Sequence, residues 1–249
     1  MQLFRHRHFF IWAIVLAAGI IACTPQAEQA SIDCPPCPST AESAASAAPA
    51  PCPTAASDNA PEIPTLAKDV HPILPGMVLP PISLITEDGS AFDLNDAVRQ
   101  QNTVLLFFRG GWCPYCNAQL SQLKTVEQKI RDAGFQIIAV SADRPPLLQS
   151  HAKENNLAYR MLSDAEMTAS RALGIAFRVD DETYEKYKNK FKLDLEERAG
   201  QTHHLLPVPA VFLVNTSGIV EFSYVNPDYK TRLAPELLLA AVTSMSKGD

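Results

Sequence analysis

Basic residues are scarce in this chain: 21 Lys and Arg stand against 27 Asp and Glu in 249 residues, for a formal net charge of −6 and a pI near 5.5. Nucleic-acid binders draw most of their affinity from clustered Lys and Arg, so nucleic acid is set aside as a partner. Cysteine is scarce where a folded core should lie. Of the six, four fall at Cys23, Cys34, Cys37 and Cys52, and only Cys113 and Cys116 come later. A closed zinc site needs four ligands, and the adjacent pair His203 and His204 is oddly spaced to complete one, so neither a metal nor another cofactor is expected. A long hydrophobic run is also missing. The unbroken low-polarity stretch from Phe9 to Ala22 falls short of the ~20 apolar residues of a membrane span. With 47% hydrophobic residues the chain can build one sizeable core, but it is hardly long enough for two catalytic domains.

What is present divides the chain in three. Arg5, His6, Arg7 and His8 precede the apolar run, and together they read as a secretory signal over residues 1–22. Its end, Ile20-Ile21-Ala22-Cys23, resembles the bacterial lipoprotein box, which implies that Cys23 is lipidated and anchors the protein to a membrane. The alternative is an uncleaved signal anchor. In lipoproteins an Asp after that cysteine marks retention at the inner membrane; Thr24 stands here, so a periplasm-facing lipoprotein of the bacterial cell envelope is expected, at the outer membrane rather than the inner. Residues 23–64 are Ala, Pro, Ser and Thr with few large apolar side chains, and many of the twenty prolines cluster between Pro25 and Pro81. Such a segment cannot offset its ordering entropy by burial, so it reads as a disordered tether spanning ~35 Å or more. Its Cys34, Cys37 and Cys52 either relay electrons to the domain or form adventitious disulfides.

Residues 65–249 read as one α/β domain. A hairpin turns at Asp88-Gly89 and leads into a short helix near Asp96. The continuous apolar run Thr103 to Phe108 predicts a strand buried on both faces. From Cys113 the period becomes helical, with Leu120, Leu123, Val126 and Ile130 on one face and Gly134 as the stop. Strand Phe135 to Ser141, helix Pro145 to Asn156, strand Tyr159 to Leu162 and helix Ala165 to Leu173 follow. This alternation predicts a mostly parallel central sheet flanked by helices. An inserted segment after Gly174 carries Tyr184, Tyr187 and Phe191 at helical spacing, either as a packing face or as a lid. Strand Val208 to Val214, a turn at Asn215 to Gly218, strand Ile219 to Tyr224 and a helix from Pro235 close the domain. This order is that of thioredoxin-like folds.

The chemistry lies in Cys113-Pro114-Tyr115-Cys116. Two cysteines three apart at a helix start sit one turn apart and can close a small disulfide ring. Unpaired N–H groups and the helix dipole there favour a thiolate on Cys113. Arg109 either adds to that shift as a pKa modulator or is a solvated charge at a strand end. A zinc site or a static disulfide are the bland alternatives for the pair.

The segment FFRGGWCPYCNAQL, Phe107 to Leu120, resembles the active-site stretch of the AhpC/TSA redoxins, peroxiredoxin-like members of the thioredoxin superfamily. AVSADRPP and LPVPAVFLVNTSGIVEF are similar too, so the resemblance runs from Pro75 to Val242. It implies a thiol–disulfide oxidoreductase with an antioxidant or redox-homeostasis role. Cys113 would be the entry nucleophile and Cys116 the resolving thiol, with Trp112 and Tyr115 around them. Val208-Pro209 matches the cis-proline position that docks a substrate backbone beside the dithiol. The sequence departs from both parents of the family. Peroxiredoxins carry a Thr three residues before the peroxidatic cysteine and an Arg before the late hairpin strand; Cys113 and Pro209 stand at those places. Thioredoxins carry a buried Asp where Phe107 stands. Pro-Tyr between the cysteines matches glutaredoxins, whose potentials are roughly −200 to −230 mV. The alternative enzyme is a thiol-dependent peroxidase with Cys116 peroxidatic and Cys113 resolving; the non-enzymatic alternative is a redox-latched binding module. The implied substrates are protein disulfides or hydroperoxides, with a thiol reductant as electron donor.

Overall fold

A computed structural model describes residues 62–155 and 157–246. The signal, Cys23, and the tether cysteines Cys34, Cys37 and Cys52 lie outside the described residues. Ile63 packs against the domain and the Pro64 carbonyl accepts a hydrogen bond from Arg178 N–H at 2.8 Å, so these two residues join the fold.

A seven-stranded sheet has the order β2-β1-β5-β4-β3-β8-β9. Its centre is β3 (Thr103–Phe108), β4 (Gln136–Ser141) and β5 (Arg160–Ser163), linked by α2 (Pro114–Asp132) and α3 (Pro145–Asn155). Helical crossovers bring successive strands back in one direction, and those three are parallel. Hairpins finish both edges. β1 (Ser83–Thr86) and β2 (Ala91–Asp93) add antiparallel to β5, and β8 (Ala210–Val214) and β9 (Val220–Val225) add antiparallel to β3. The sheet is therefore mixed rather than mostly parallel, because only the helix-linked centre is bound to one direction.

Every residue of β3 is buried, since both sheet faces are covered. Val104, Leu106 and Phe108 face α2, α3 and α7 (Pro235–Met245); Leu105 and Phe107 face α1 (Leu94–Gln100) and α4 (Thr168–Ala172). α2 buries Leu120, Leu123, Val126 and Ile130 on the first face, each fully buried Leu or Ile worth about 1.5–3 kcal/mol. This pins the helix start against the end of β3. Gly134, at φ +87°, follows its last turn.

α4 is shorter than the helical pattern from Ala165 suggests. The buried Asp164 carboxylate takes the N–H groups of Ala169 and Ser170 at 2.9 and 2.8 Å, and Met167 sits at φ +60°, so a turn precedes the helix. The insertion is more ordered than its charge suggests. β6 (Ala176–Arg178) and β7 (Leu205–Pro207) form a separate two-stranded sheet, and between them lie α5 (Asp181–Phe191) and α6 (Leu195–Ala199). Asp180 and Asp194 cap the two helices by accepting N–H bonds of their first turns.

Candidate active site

β3 ends at Phe108, and five residues later Cys113 caps the start of α2 with an extended backbone, φ −88° and ψ 113°. Its carbonyl accepts the N–H groups of Cys116 and Asn117, both at 3.1 Å. Pro114 takes the first helical position, where a missing N–H costs nothing. The intervening loop is clamped on both sides. Gly111 N–H donates to the Asp143 carboxylate at 2.7 Å, and the Asn117 amide donates to Gly111 C=O at 2.9 Å. Gly110 sits at φ +144°, and a Cβ there would come within 2.3 Å of Trp112 Nε1; at Gly111 it would meet the His151 ring at 2.7 Å. Both glycines are dictated by this close approach.

The clamp continues outward. Asp143, 1% exposed, accepts two bonds from Arg198 of α6, Nε and Nη2 each at 2.8 Å. The insertion is thereby tied to the loop that carries the dithiol.

Both cysteines are free thiols, and both are buried. Cys113 is not at an open helix end: it is 1% exposed, because the insertion and the segment after β9 close over it. Its thiol is nonetheless pulled down to about 6. A hydrogen bond from the Cys116 thiol is the largest cause, assisted by Cys116 N–H and by the positive charges of Arg109 and Arg232, and together they outweigh burial. The Cys116 thiol is pushed up, first by burial and then by the neighbouring Cys113. Iodoacetamide labelling should accordingly show Cys113 reacting with a midpoint near pH 6 and losing reactivity below it, while Cys116 stays unlabelled through pH 9. Mass spectrometry of the labelled peptides checks this; equal titration of the two would contradict it.

Arg109 is 3% exposed and is no solvated charge. Its guanidinium donates to the Tyr187 hydroxyl at 2.6 Å and lies 4.9 Å from the Trp112 ring centre and 4.4 Å from that of Tyr229. The aromatic stripe of α5 divides accordingly. Tyr184 packs into the insertion, stacked on His204, whereas Tyr187 and Phe191 wall a cleft of about 660 Å³ together with Trp112, Tyr115 and Tyr229. Cys113 lines that cleft and Cys116 does not.

The pairing of Phe107 with Ala210 places Val208 and Pro209 at the same end of the sheet as the dithiol. Both are buried and neither lines the cleft. Val208 N–H donates to Ile175 C=O at 2.8 Å, and Pro209 C=O accepts from Asn226 N–H at 3.3 Å. The fold's own backbone thus occupies these two groups, the first through Ile175 just before β6 and the second through Asn226 just after β9. His203 and His204 serve the insertion, His203 on Ala165 C=O and His204 on Glu196, both at 2.8 Å.

Arg232, which the sequence pattern does not single out, lies between β9 and α7. Its Nη2 donates to Cys116 Sγ at 3.3 Å and reaches Cys113 Sγ at 3.9 Å. Nη1 donates to Gln119 Oε1 at 3.1 Å and Nε to Tyr229 C=O at 2.9 Å. A guanidinium therefore stands at the sulfurs although Pro209 occupies the expected arginine position. Asp143 had a weak signal, an acid just past a buried strand; Arg232 had none.

The model of the AhpC/TSA family matches residues 75–223. Peroxiredoxin Bcp of Escherichia coli K12 is 26% identical over 100 residues, covering 40% of this chain and 64% of that protein. Chloroplastic peroxiredoxin Q of Gentiana triflora is 28% identical over 100 residues, 40% of this chain and 46% of that one. The match thus spans less than two-thirds of the length of these curated relatives. Among solved structures, peroxidoxin BcpB from Mycobacterium tuberculosis superposes with a TM-score of 0.53 at 14% identity, over 70% of this chain and 96% of that one. Reduced Prx3 from Vibrio vulnificus, in complex with hydrogen peroxide, gives 0.56 at 17% identity, over 68% and 99%. These structures share the thioredoxin-like fold.

Proposed function

The chain belongs to the AhpC/TSA family, and from that premise we propose that it is a dithiol oxidoreductase in which Cys113 attacks the substrate and Cys116 resolves the product. The observation that carries this reading is the asymmetry of the pair. Cys113 borders the aromatic cleft with its thiol pulled down to about 6, while Cys116 lies behind it, fully buried, with its thiol pushed up. A substrate entering the cleft meets the thiolate first.

With a protein disulfide as substrate, the Cys113 thiolate attacks one sulfur, the substrate S–S bond breaks, and one substrate thiolate leaves. Cys116 then attacks Cys113 Sγ, the mixed disulfide breaks, and the proton Cys116 gives up ends on the departing thiolates. The substrate gains two electrons, and the dithiol becomes a disulfide that an external thiol reductant returns to the starting state. Turnover of insulin disulfides with dithiothreitol as that reductant tests the reading. Catalysed reduction, lost in the double Cys→Ser protein, is the expected result. No turnover under any reductant, with partner binding unchanged in the double variant, would favour a binding module instead.

A second reading is favoured by one specific contact. Arg232 donates to Cys116 Sγ, and an arginine on the reactive sulfur suits a peroxidase in which Cys116 is oxidised first to a sulfenic acid and Cys113 condenses with it, releasing water. The peroxiredoxin names of the relatives point the same way. The absence of Cys116 from the cleft lining weighs against it.

A further inference from the structure

The resolving cysteine poses a problem that the exchange reading leaves open. Cys116 must become a thiolate to attack Cys113, yet it is buried and carries the Cys113 negative charge beside it. Phe107 occupies the place of the acid that serves thioredoxins, and no carboxylate contacts either sulfur among the described residues. The groups facing Cys116 are few: the Cys113 thiol, the Arg109 backbone N–H, and the Arg232 guanidinium.

We propose that Arg232 is a catalytic residue of the second step, a fixed positive charge shared by both sulfurs that passes from Cys113 to Cys116 when Cys113 enters the mixed disulfide. This rests on the exchange reading above. Three features of the geometry support it. Arg232 Nη2 lies within reach of both sulfurs, at 3.9 Å from Cys113 and 3.3 Å from Cys116, so it serves either one without moving. Its other donors are anchored on Gln119 Oε1 and Tyr229 C=O, which fixes the plane of the guanidinium before reaction begins. Arg109, the other cation, is committed elsewhere, bonded to the Tyr187 hydroxyl and enclosed by aromatic rings.

The sequence of charges follows from this geometry. In the reduced protein the Cys113 thiolate takes the Cys116 S–H bond and shares Arg232, so Cys116 keeps its proton. Once Cys113 is bonded to a substrate sulfur it carries no charge and no longer repels a second anion. Arg232 is then the cation at 3.3 Å from Cys116 Sγ. The Cys116 proton goes to the substrate thiolate freed in the first step, the Cys116 sulfur attacks Cys113 Sγ, the mixed disulfide breaks, and the second substrate thiolate departs. Resolution is thus suppressed until there is a mixed disulfide to resolve.

The two steps can be read separately with 5,5′-dithiobis(2-nitrobenzoate), because each releases one coloured thiolate. At pH 8 Cys113 is already ionised, so the first release should change by less than about threefold in Arg232→Met. The second should slow by at least about tenfold and its pH profile should move to higher pH, since a neighbouring opposite charge shifts a pKa by roughly 1–3 units. Arg232→Lys should restore most of the second rate. A second phase unchanged in Arg232→Met, or both phases slowed alike in Arg232→Met and Arg232→Lys, would each overturn the role of Arg232. A first release that persists in Cys113→Ser would instead overturn the exchange reading itself.

Discussion

Cys113→Ser is expected to lower disulfide exchange by at least about a thousandfold, and Cys116→Ser to leave the first attack intact while halting release. The serine hydroxyl at position 113 does not ionise near neutral pH, so nothing on the cleft can open a disulfide. Cys116→Ser keeps the Cys113 thiolate, although it replaces the thiol that donates to it, which is the largest cause of its low pKa. A serine hydroxyl donates in the same place, so ionisation should survive. Incubation with a disulfide substrate, followed by non-reducing electrophoresis, should then show trapped mixed disulfides in Cys116→Ser and almost none in Cys113→Ser. A peroxidase that uses Cys116 gives the opposite pattern: Cys113→Ser consumes one equivalent of peroxide and labels as a sulfenic acid, and Cys116→Ser does neither. That pattern, with no trapped partners, would replace the exchange reading.

Asp143→Ala should cost about 1–3 kcal/mol of folding stability, because it removes the acceptor of Gly111 N–H and leaves the Arg198 guanidinium, a quarter exposed at the cleft, without its partner. The substitution also frees the loop that sets Cys113 at the head of α2, so activity should fall in the protein that remains folded. Asp143→Asn keeps the shape and one acceptor oxygen and should lie between. Denaturant melts give the stability, and the Cys113 labelling midpoint, rising toward that of an ordinary thiol, reports the loop. A loss under about 1 kcal/mol, the size of an exposed ion pair, would mean that the clamp is ornamental.

Long periodic segments were legible in the sequence. Thr103 to Phe108 was predicted as a buried strand and is one, and the apolar face of α2 consists of the residues its spacing named. The cysteine pair at the helix start followed from the same pattern. Short elements were not legible. β6 and β7 have three residues each, too few to display a period, and their pairing joins residues 176–178 to 205–207. The site's charges were legible only where they sit next to the motif. Arg109 was visible as a neighbour of the dithiol, but its burial under Tyr187 depends on a helix 78 residues away. Arg232 stands in a polar turn, among Lys230, Thr231 and Asp228, and nothing local distinguishes it from a surface residue. The bond from Val208 N–H to Ile175 C=O was not legible either, since the β6–β7 sheet beside it had no signature.

The distance along the chain from Arg232 to the sulfurs has a consequence for how the protein comes to be reactive. Arg232 meets Cys113 across 119 residues, and that contact exists only when the β8–β9 hairpin and the segment beyond it have docked. Such non-local closures come late in folding, because the loop entropy is lost before the contact rewards it. A growing chain exposes both cysteines well before residue 232 has been made, and through that interval they behave as ordinary thiols, mostly protonated at neutral pH with a pKa of ~8.5. The protein is thus synthesised unarmed. A chain that ends before Arg232 carries the whole CPYC motif and only part of the charge that makes it a nucleophile.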